Sequence, residues 1–333
     1  MAKKEFTNPI NNEKVELDEC KLSKSIEDYE GRAERIPNID KNYVDLGIQF
    51  RLAQLINSKN VSFKNEIPIH VALKGHMGTG KDHDIEQFAA KLKYPYYRIP
   101  LSGEVRDVTL LGSVQLYGDG KGGTESKWQD GELTRALRGP AIVNLSELNA
   151  AGPEVLFALH SLLDRHKKLE LPNGEVISLR DDCYIFGTMN PTSLRDYSGT
   201  QTLNKAFADR WVIWDKPFPN KDQLQLIFKK RYPNLQSEFS DLIIKLAIEI
   251  NNSFMSDDIS INIETPMSLR TIVERIPVGL DIYKNSSDPL YEAWKNFVLP
   301  HVDTDDMDHY LSLIHISEPT RRRGISYAVF CLK

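Results

Sequence analysis

The chain has 333 residues, with 42 lysines and arginines against 47 aspartates and glutamates, and 41% of its residues are hydrophobic. This length suggests about two domains, and the acidic balance argues against a generally cationic nucleic-acid binder. Three scattered cysteines indicate neither a disulfide framework nor a Cys-x-x-Cys metal pair. No apolar run is long enough for a signal peptide or a membrane span. We therefore expect a cytoplasmic, mixed globular protein that does not contact a membrane.

The last segment, 311–333, resembles the translation of a DNA-sequencing adapter. Residues 311–321 and 325–332 match its two constant parts, and residues 322–324 stand where a variable index would be. An amphipathic C-terminal strand is the alternative. We treat the segment as a non-native tail, which leaves 38 basic and 46 acidic residues and a formal charge of −8. We expect the natural chain to continue past Tyr310.

Residues 1–41 are polar with little periodicity, and we expect them to form an extension or a partner-docking arm. Beyond them, short apolar runs typical of buried strands alternate with helical periodicity. The predicted strands are 67–73, 96–101, 141–145 and 183–188, the predicted helices are 43–56, 82–93 and one opened by Pro153, and a hairpin turns at Pro172-Asn173-Gly174. This alternation predicts a parallel α/β sheet with helices on both faces, in a domain from 42 to 217.

After residue 217 the pattern is helical only, as in 242–250 and 268–276. The change of pattern predicts a second, all-helical domain from 218 to 310.

One glycine-rich segment lies directly between the first of these strands and the helix that follows it. It reads Gly75-His76-Met77-Gly78-Thr79-Gly80-Lys81-Asp82. In this context glycines let backbone N–H groups line up on phosphate oxygens, the helix N-terminus adds its positive end, and Lys81 reaches the terminal phosphates. A glycine-rich turn without a ligand is the alternative. The segment is therefore predicted to be a phosphate-binding loop for a nucleotide.

The final position of this loop departs from the usual pattern. It is normally Ser or Thr, whose hydroxyl holds Mg²⁺, but here it is Asp82. A carboxylate beside a polyanionic nucleotide without a metal would cost on the order of 4 kcal/mol at an effective dielectric of 20. Either the site is damaged, or a metal sits directly on Asp82.

Two later segments resemble the AAA+ ATPases, in particular the MoxR-like and dynein/midasin-related branch, and the resemblance extends over about 42–310. Trp128–Ala136 is similar to that branch's W-x-D-G-x-L-x-x-A run, and Ala141–Asn149 occupies the Walker B place. The resemblance implies a P-loop NTPase α/β/α sheet domain followed by a small helical lid. Where the family has Asp-Glu, this chain has Ser146-Glu147. In the family the Asp supports Mg²⁺, and the Glu, here Glu147, polarises the attacking water.

Both departures therefore fall on the protein groups that hold the metal in the family. Our hypothesis is a ligand exchange, in which Asp82 and Ser146 together hold Mg²⁺, since this cation accepts either oxygen ligand in octahedral geometry. Independent decay into a nucleotide-binding pseudo-ATPase is the alternative. The retained Glu147 favours activity.

The resemblance also assigns three residues that sense or stabilise the terminal phosphate. Asn190, in the sensor-1-like segment Phe186–Pro191, would hold the attacking water or the phosphate. The alternative is that Asn190 only forms an Asn-Pro turn that closes the strand. Arg210, in Leu203–Trp211, matches the arginine finger that acts on the neighbouring subunit's nucleotide, with a surface ion pair as the alternative. Arg270 matches the sensor-2 arginine, although a leucine replaces the proline that normally precedes it.

Taken together, the resemblance implies an ATPase subunit that uses ATP and Mg²⁺ in a homo-hexameric ring. Such a ring would remodel a partner protein or assist metal-cofactor insertion, beside a protein with a von Willebrand A domain. A non-hydrolysing, nucleotide-gated scaffold is one alternative. A motor on nucleic acid is the other, and the charge of −8 disfavours it.

Overall fold

A computed structural model describes residues 2–22, 31–58, 69–118, 120, 123–192, 202–256 and 263–316. The chain divides into two compact units. The first comprises residues 1–40, 45–75 and 81–216, and the second comprises residues 41–44, 76–80 and the chain from Pro217 onward.

The first unit contains the strands. They are β1 (Lys3–Thr7), β2 (Lys14–Asp18), β3 (His70–Lys74), β4 (Tyr96–Pro100), β5 (Gly112–Gly118), β6 (Thr124–Asp130), β7 (Ala141–Ser146), β8 (Lys168–Glu170), β9 (Val176–Ser178), β10 (Cys183–Met189) and β11 (Trp211–Asp215). Five of them form a parallel sheet in the spatial order β11-β3-β10-β7-β4. The pairs β1-β2, β5-β6 and β8-β9 are separate antiparallel hairpins.

Helices cover the sheet in the first unit and make up the second. The first unit has α1 (Ile48–Ser58), α2 (Lys81–Leu92), α3 (Asp107–Leu111), α4 (Glu132–Leu137), α5 (Pro153–Leu163) and α6 (Lys205–Ala208). The second has α7 (Lys221–Arg231), α8 (Ser237–Phe254), a π-helical turn (Thr271–Arg275), α9 (Ile276–Ile282), α10 (Pro289–Phe297) and α11 (Met307–Ile316). None of the helices in the described part of the chain combines the length and the apolar character that crossing a membrane requires.

The central strands are apolar on both faces, and this explains the layered arrangement. On β7, Val143 and Leu145 belong to a core that includes α4 and α5, whereas Ile142 belongs to a second core that includes α1 and α2. Successive side chains of a strand point to opposite faces, so the two cores lie on opposite sides of the sheet. The predicted α/β sheet with helices on both faces, followed by a helical region, is confirmed.

The N-terminal residues differ from the expected extension, because they pack into the first unit. Phe6 of β1 and Val15 and Leu17 of β2 are buried in the core that includes α1 and α2. Further on, the fully buried Arg32 guanidinium donates hydrogen bonds to the carbonyls of Ala136 and Pro140. The segment as a whole is polar, but the apolar residues of strands β1 and β2 all point into the core.

The observed helices and strands agree closely with the predicted ones where the apolar runs in the sequence are long. The strand predicted over 67–73 begins at His70, with residues 67 and 68 outside the described residues, and the Asn-Gly hairpin is present as β8-β9. The hairpin β5-β6 was not predicted. In the adapter-like tail, helix α11 continues to Ile316 with Leu313 buried, because its apolar positions continue the helical spacing, and residues 317–333 lie outside the described residues.

The burial of the N-terminal hairpin gives a test of its part in the fold. Replacing Phe6 with alanine should lower the free energy of unfolding by about 3 to 5 kcal/mol, because it removes a buried ring and leaves a cavity. Urea unfolding followed by circular dichroism measures this. Ile10→Ala, at a position of the same hairpin that is 91% exposed, is the control and should change it by less than about 0.5 kcal/mol. Equal, small effects of both changes would show that the hairpin is not part of the core.

Candidate functional site

The glycine-rich loop connects β3 to α2 and has the backbone of a tight turn. Gly78 and Gly80 have φ angles of +74° and +84°, which residues with a Cβ rarely adopt. Between them Thr79 is buried, and its Oγ1 donates to the carbonyl oxygen of His76 at 2.9 Å. The glycines are therefore required by the conformation of the loop itself.

Within the second unit, the segment before the π-helical turn lies against this loop. The backbone N–H of Leu269 donates to the carbonyl oxygen of Gly78 at 2.9 Å. The ring of His76 stacks on Phe218 at 5.3 Å and meets the edge of Phe254 at 4.9 Å. Proline has no N–H, so the leucine that replaces the family's proline supplies a hydrogen bond that proline would lack.

Lys81, the first residue of α2, meets the predicted sensor residue Asn190. Its Nζ donates to the carbonyl oxygen of Gly75 at 2.6 Å and to Oδ1 of Asn190 at 3.1 Å. Burial, together with the positive charge of Lys216, lowers the pKa of Lys81 to about 8, against the opposing effects of Asp82 and Glu147. The ammonium group is thus held at the end of β10 with a reduced solvation shell, where an anion would be bound strongly.

Asp82, the next residue, is surrounded by hydrogen-bond donors. Its Oδ1 accepts from Nδ2 of Asn144 at 2.9 Å and from Oγ1 of Thr188 at 2.8 Å. Its Oδ2 accepts from Nε of Arg98 at 3.1 Å and from Oγ of Ser146 at 3.3 Å. Nη2 of Arg98 lies 3.0 Å from the same Oδ2 and donates to Oγ of Ser146 at 3.2 Å. The two predicted metal ligands are therefore hydrogen-bonded to each other, and Arg98 contacts both of them.

These contacts decide the charge of Asp82. Burial acts to raise its pKa, but the hydrogen bonds from Asn144 and Thr188 and the positive charge of Arg98 outweigh burial, so the pKa is lowered. The carboxyl group is ionised at neutral pH, and Arg98 is its counter-ion.

Glu147 follows the buried end of β7 and has a left-handed backbone with φ of +63° and ψ of +46°. Its side chain is exposed. Two residues later Asn149 reaches across to β10, where its Nδ2 donates to the carbonyl oxygen of Asn190 at 2.9 Å. A left-handed backbone at a non-glycine residue costs free energy, and such residues are concentrated at functional sites. The conformation of Glu147 is therefore consistent with a functional role.

The two predicted arginines belong to different units. Arg210 precedes β11, where its guanidinium donates to the carbonyl oxygens of His160 and Ala206 and approaches Asp164 at 3.9 Å. Arg270 is an exposed residue of the second unit, and within the described residues its side chain makes no ion pair. The roles predicted for both arginines remain predictions.

Comparison with known proteins finds a family match for one part of the chain. Residues 70–211 match the AAA domain of the dynein-related subfamily. This part of the chain is an AAA domain.

Several similar proteins match a longer part of the chain. The chain is 25% identical to an uncharacterized protein of Staphylococcus epidermidis over 206 residues, which are 62% of this chain and 76% of that protein. It is 30% identical over 214 residues to the aerobic cobaltochelatase subunit CobS of a Sinorhizobium species, covering 61% of this chain and 63% of that subunit. It is also 30% identical over 214 residues to midasin of Dictyostelium discoideum, covering 63% of this chain and 4% of midasin.

AAA domains use nucleotide and usually Mg²⁺, so the predicted ligand pair must meet the requirements of this cation. Mg²⁺ needs oxygen atoms with available lone pairs at about 2.0 to 2.1 Å in octahedral geometry. Both Asp82 oxygens already accept hydrogen bonds. A dication about 4 Å from the Arg98 guanidinium would be repelled by about 8 kcal/mol at an effective dielectric of 20. Among the described residues, no group of three or more His, Cys, Asp or Glu side chains could hold a metal. The AAA domain, with Arg98 where it lies, does not fit Mg²⁺ bound directly to Asp82 and Ser146.

Sequence reasoning missed the partners of Asp82. Arg98, Asn144 and Thr188 lie on three different strands of the AAA domain and form no local motif. One signal was available: a carboxylate in a phosphate-binding loop needs a compensating cation, and Arg98 is a charged residue within an otherwise uncharged strand. Its pairing with Asp82 depends on strand order, which the spacing of residues alone does not give.

The close packing of Gly78 against Ser268, within the second unit, can be tested by substitution. A Cβ added there would lie 2.3 Å from Cβ of Ser268, so Gly78→Ala should lower the free energy of unfolding by about 1 to 3 kcal/mol more than Gly80→Ala. Gly80 is a matched control, because it has a similar positive φ but its nearest neighbour, Cδ2 of Leu269, is 3.8 Å away. Chemical unfolding of both variants measures the difference, and equal losses would contradict the close packing of Gly78.

Proposed function

We propose that this chain binds ATP at its phosphate loop and hydrolyses it, as a subunit of an oligomeric AAA ring that acts on a partner protein. The observation that carries the proposal is the position of Lys81 Nζ, between the carbonyl oxygen of Gly75 and Oδ1 of Asn190. This lysine follows a loop with two left-handed glycines and begins a helix, which is the arrangement that binds terminal phosphates.

The residues around Lys81 support hydrolysis as well as binding. Lys81 would hold a terminal phosphate oxygen, and the phosphate would replace the solvation that burial has removed from the ammonium group. Glu147 is the carboxylate that would orient the attacking water and accept its proton. Asn190 would fix the water or the phosphate, and Asn149 would position Asn190 through its backbone carbonyl.

The ring follows from the role proposed for Arg210. An arginine finger stabilises charge on the transferred phosphoryl group, and here it would act on the nucleotide of the neighbouring subunit. Arg210 is 24% exposed at its side chain and held by carbonyl oxygens next to α5, so its guanidinium is oriented before any partner arrives. A homo-hexamer is the assembly we propose by resemblance to the family.

The partner is proposed from the relatives. One relative, CobS, is a subunit of an aerobic cobaltochelatase. A second relative, midasin, matches this chain over the same number of residues. We propose that ATP turnover by this chain either remodels a partner protein or assists insertion of a metal cofactor, with a von Willebrand A-domain protein beside it. This step rests on analogy within the family.

A second candidate function is a scaffold that binds nucleotide without hydrolysing it. The pairing of Asp82 with Arg98 favours it, because the group that would hold Mg²⁺ in a hydrolysing relative is already neutralised. The two functions differ in phosphate release, which only the ATPase produces.

The role of Glu147 separates the two candidates. Glu147→Gln should reduce phosphate release by about 10²- to 10⁴-fold, because the amide cannot accept the proton of the attacking water. Binding of ATP should change by less than about threefold, since Glu147 does not hold the phosphates. Glu154→Gln, an exposed glutamate in the first turn of α5, is the matched control and should have normal turnover. Wild-type protein that binds ATP but releases no phosphate would favour the scaffold.

Mixing two inactive variants tests the finger in trans. Arg210→Ala and Glu147→Gln should each be inactive alone, but some interfaces of a mixed ring combine an intact Glu147 with an intact neighbouring Arg210. Random mixing of equal amounts should therefore restore roughly a quarter of wild-type phosphate release. Failure of the mixture to exceed either variant, while both assemble, would contradict a finger supplied by the neighbouring subunit.

A further inference from the structure

Arg98 is a charged group at the candidate nucleotide site to which the proposed function gives no role. It lies on β4, the edge strand of the parallel sheet, directly opposite Asn144 of β7 in the strand register. Its neighbours Tyr97 and Ile99 are buried in the sheet, whereas Arg98 is on the other face of the strand. The alternation of the strand therefore directs this side chain toward the N-terminal end of α2.

The guanidinium bridges two positions that hold Mg²⁺ in the family pattern. Nε and Nη2 contact Oδ2 of Asp82 at 3.1 and 3.0 Å, and Nη2 donates to Oγ of Ser146 at 3.2 Å. Asp82 stands at the hydroxyl position of the phosphate loop and Ser146 at the carboxylate position of the Walker B strand. Both departures from the family pattern are thus in contact with the same cation.

The guanidinium also keeps donors for a ligand. Within the part of the chain that the structure describes, Nη1 of Arg98 donates no hydrogen bond, and the side chain is 50% exposed. A guanidinium has five N–H donors in a planar arrangement, and it binds phosphate oxygens well. One edge of Arg98 therefore holds Asp82, and the other can meet a polyphosphate.

We propose that the Arg98 guanidinium takes the place of the divalent cation, so that this chain binds a nucleoside triphosphate without Mg²⁺. The inference rests on the proposed nucleotide binding and states what neutralises the phosphates there. Arg98 neutralises Asp82, which removes the repulsion between this carboxylate and the triphosphate. Lys81 and the remaining donors of Arg98 then supply the positive charge that faces the ligand.

The same arrangement predicts what happens when Arg98 is lost. Without the guanidinium, the Asp82 carboxylate loses the counter-ion that is paired with it and would repel the triphosphate. Asp82 and Ser146 would then present two adjacent oxygen ligands, 3.3 Å apart, that a divalent cation can use. Removal of Arg98 should therefore create a dependence on Mg²⁺ that the wild-type chain lacks.

The experiment is isothermal titration calorimetry of the full chain with AMP-PNP, a non-hydrolysable ATP analogue, in EDTA and in excess MgCl₂. The wild type should bind with dissociation constants that differ by less than about threefold between the two conditions. Arg98→Ala should bind about tenfold or more weakly in EDTA and recover with MgCl₂, whereas Arg98→Lys, which keeps the charge, should bind in EDTA within about tenfold of the wild type. Arg180→Ala, which removes an arginine paired with Asp182 at similar exposure, is the control and should behave as the wild type.

The outcomes separate the inference from the proposed function. Wild-type binding that needs MgCl₂ would overturn the inference and leave nucleotide binding intact. No binding in either condition would overturn both. Thermal unfolding of each variant checks its fold, and the comparison of the wild type with and without MgCl₂ decides the question even if Arg98→Ala does not fold.

Discussion

The hydrogen bonds around the Asp82 carboxylate are the interaction on which the rest of the candidate site depends. They join the N-terminus of α2 to three adjacent strands, through Arg98 of β4, Asn144 and Ser146 of β7 and Thr188 of β10. These residues lie at or near the carboxyl ends of their strands, where ligands bind in parallel α/β sheets. One ionised side chain thus fixes the beginning of the helix that carries Lys81 relative to the strands that carry Glu147 and Asn190.

This network explains why the two unusual residues, Asp82 and Ser146, are compatible with each other. A partly buried carboxylate is costly unless it is paired and hydrogen-bonded, and Asp82 is both. An aspartate at position 146 would bring a second carboxylate next to Asp82, with one arginine for both. A serine there instead donates to Asp82 and accepts from Arg98, so each of the two departures makes the other acceptable. The sequence hypothesis was an exchange of metal ligands. The structure instead shows the two residues hydrogen-bonded to each other, with the Arg98 guanidinium as the third member.

The sequence predicted the elements and residues whose signals are local. The strand, the glycines and Lys81 occur in one continuous segment, and Asn190 ends an apolar run, so their meeting at 3.1 Å follows from the parallel sheet that the pattern indicates. Arg98 was missed because its contact with Asp82 depends on β4 lying beside β7, which is a matter of strand order. The N-terminal hairpin was missed for a different reason. Phe6, Val15 and Leu17 are too few and too widely separated by polar residues to indicate burial without their tertiary partners.

In the site that we propose, a guanidinium, in place of a divalent cation, faces the phosphates of the bound nucleotide. The most direct measurement is a crystal structure of the full chain with AMP-PNP grown in EDTA, compared with one grown in MgCl₂. We predict the same contacts in both structures, with Lys81 Nζ and Arg98 on phosphate oxygens and Arg98 still paired with Asp82. A structure in which Arg98 has turned away and Mg²⁺ is bound by Asp82 and Ser146 would contradict it.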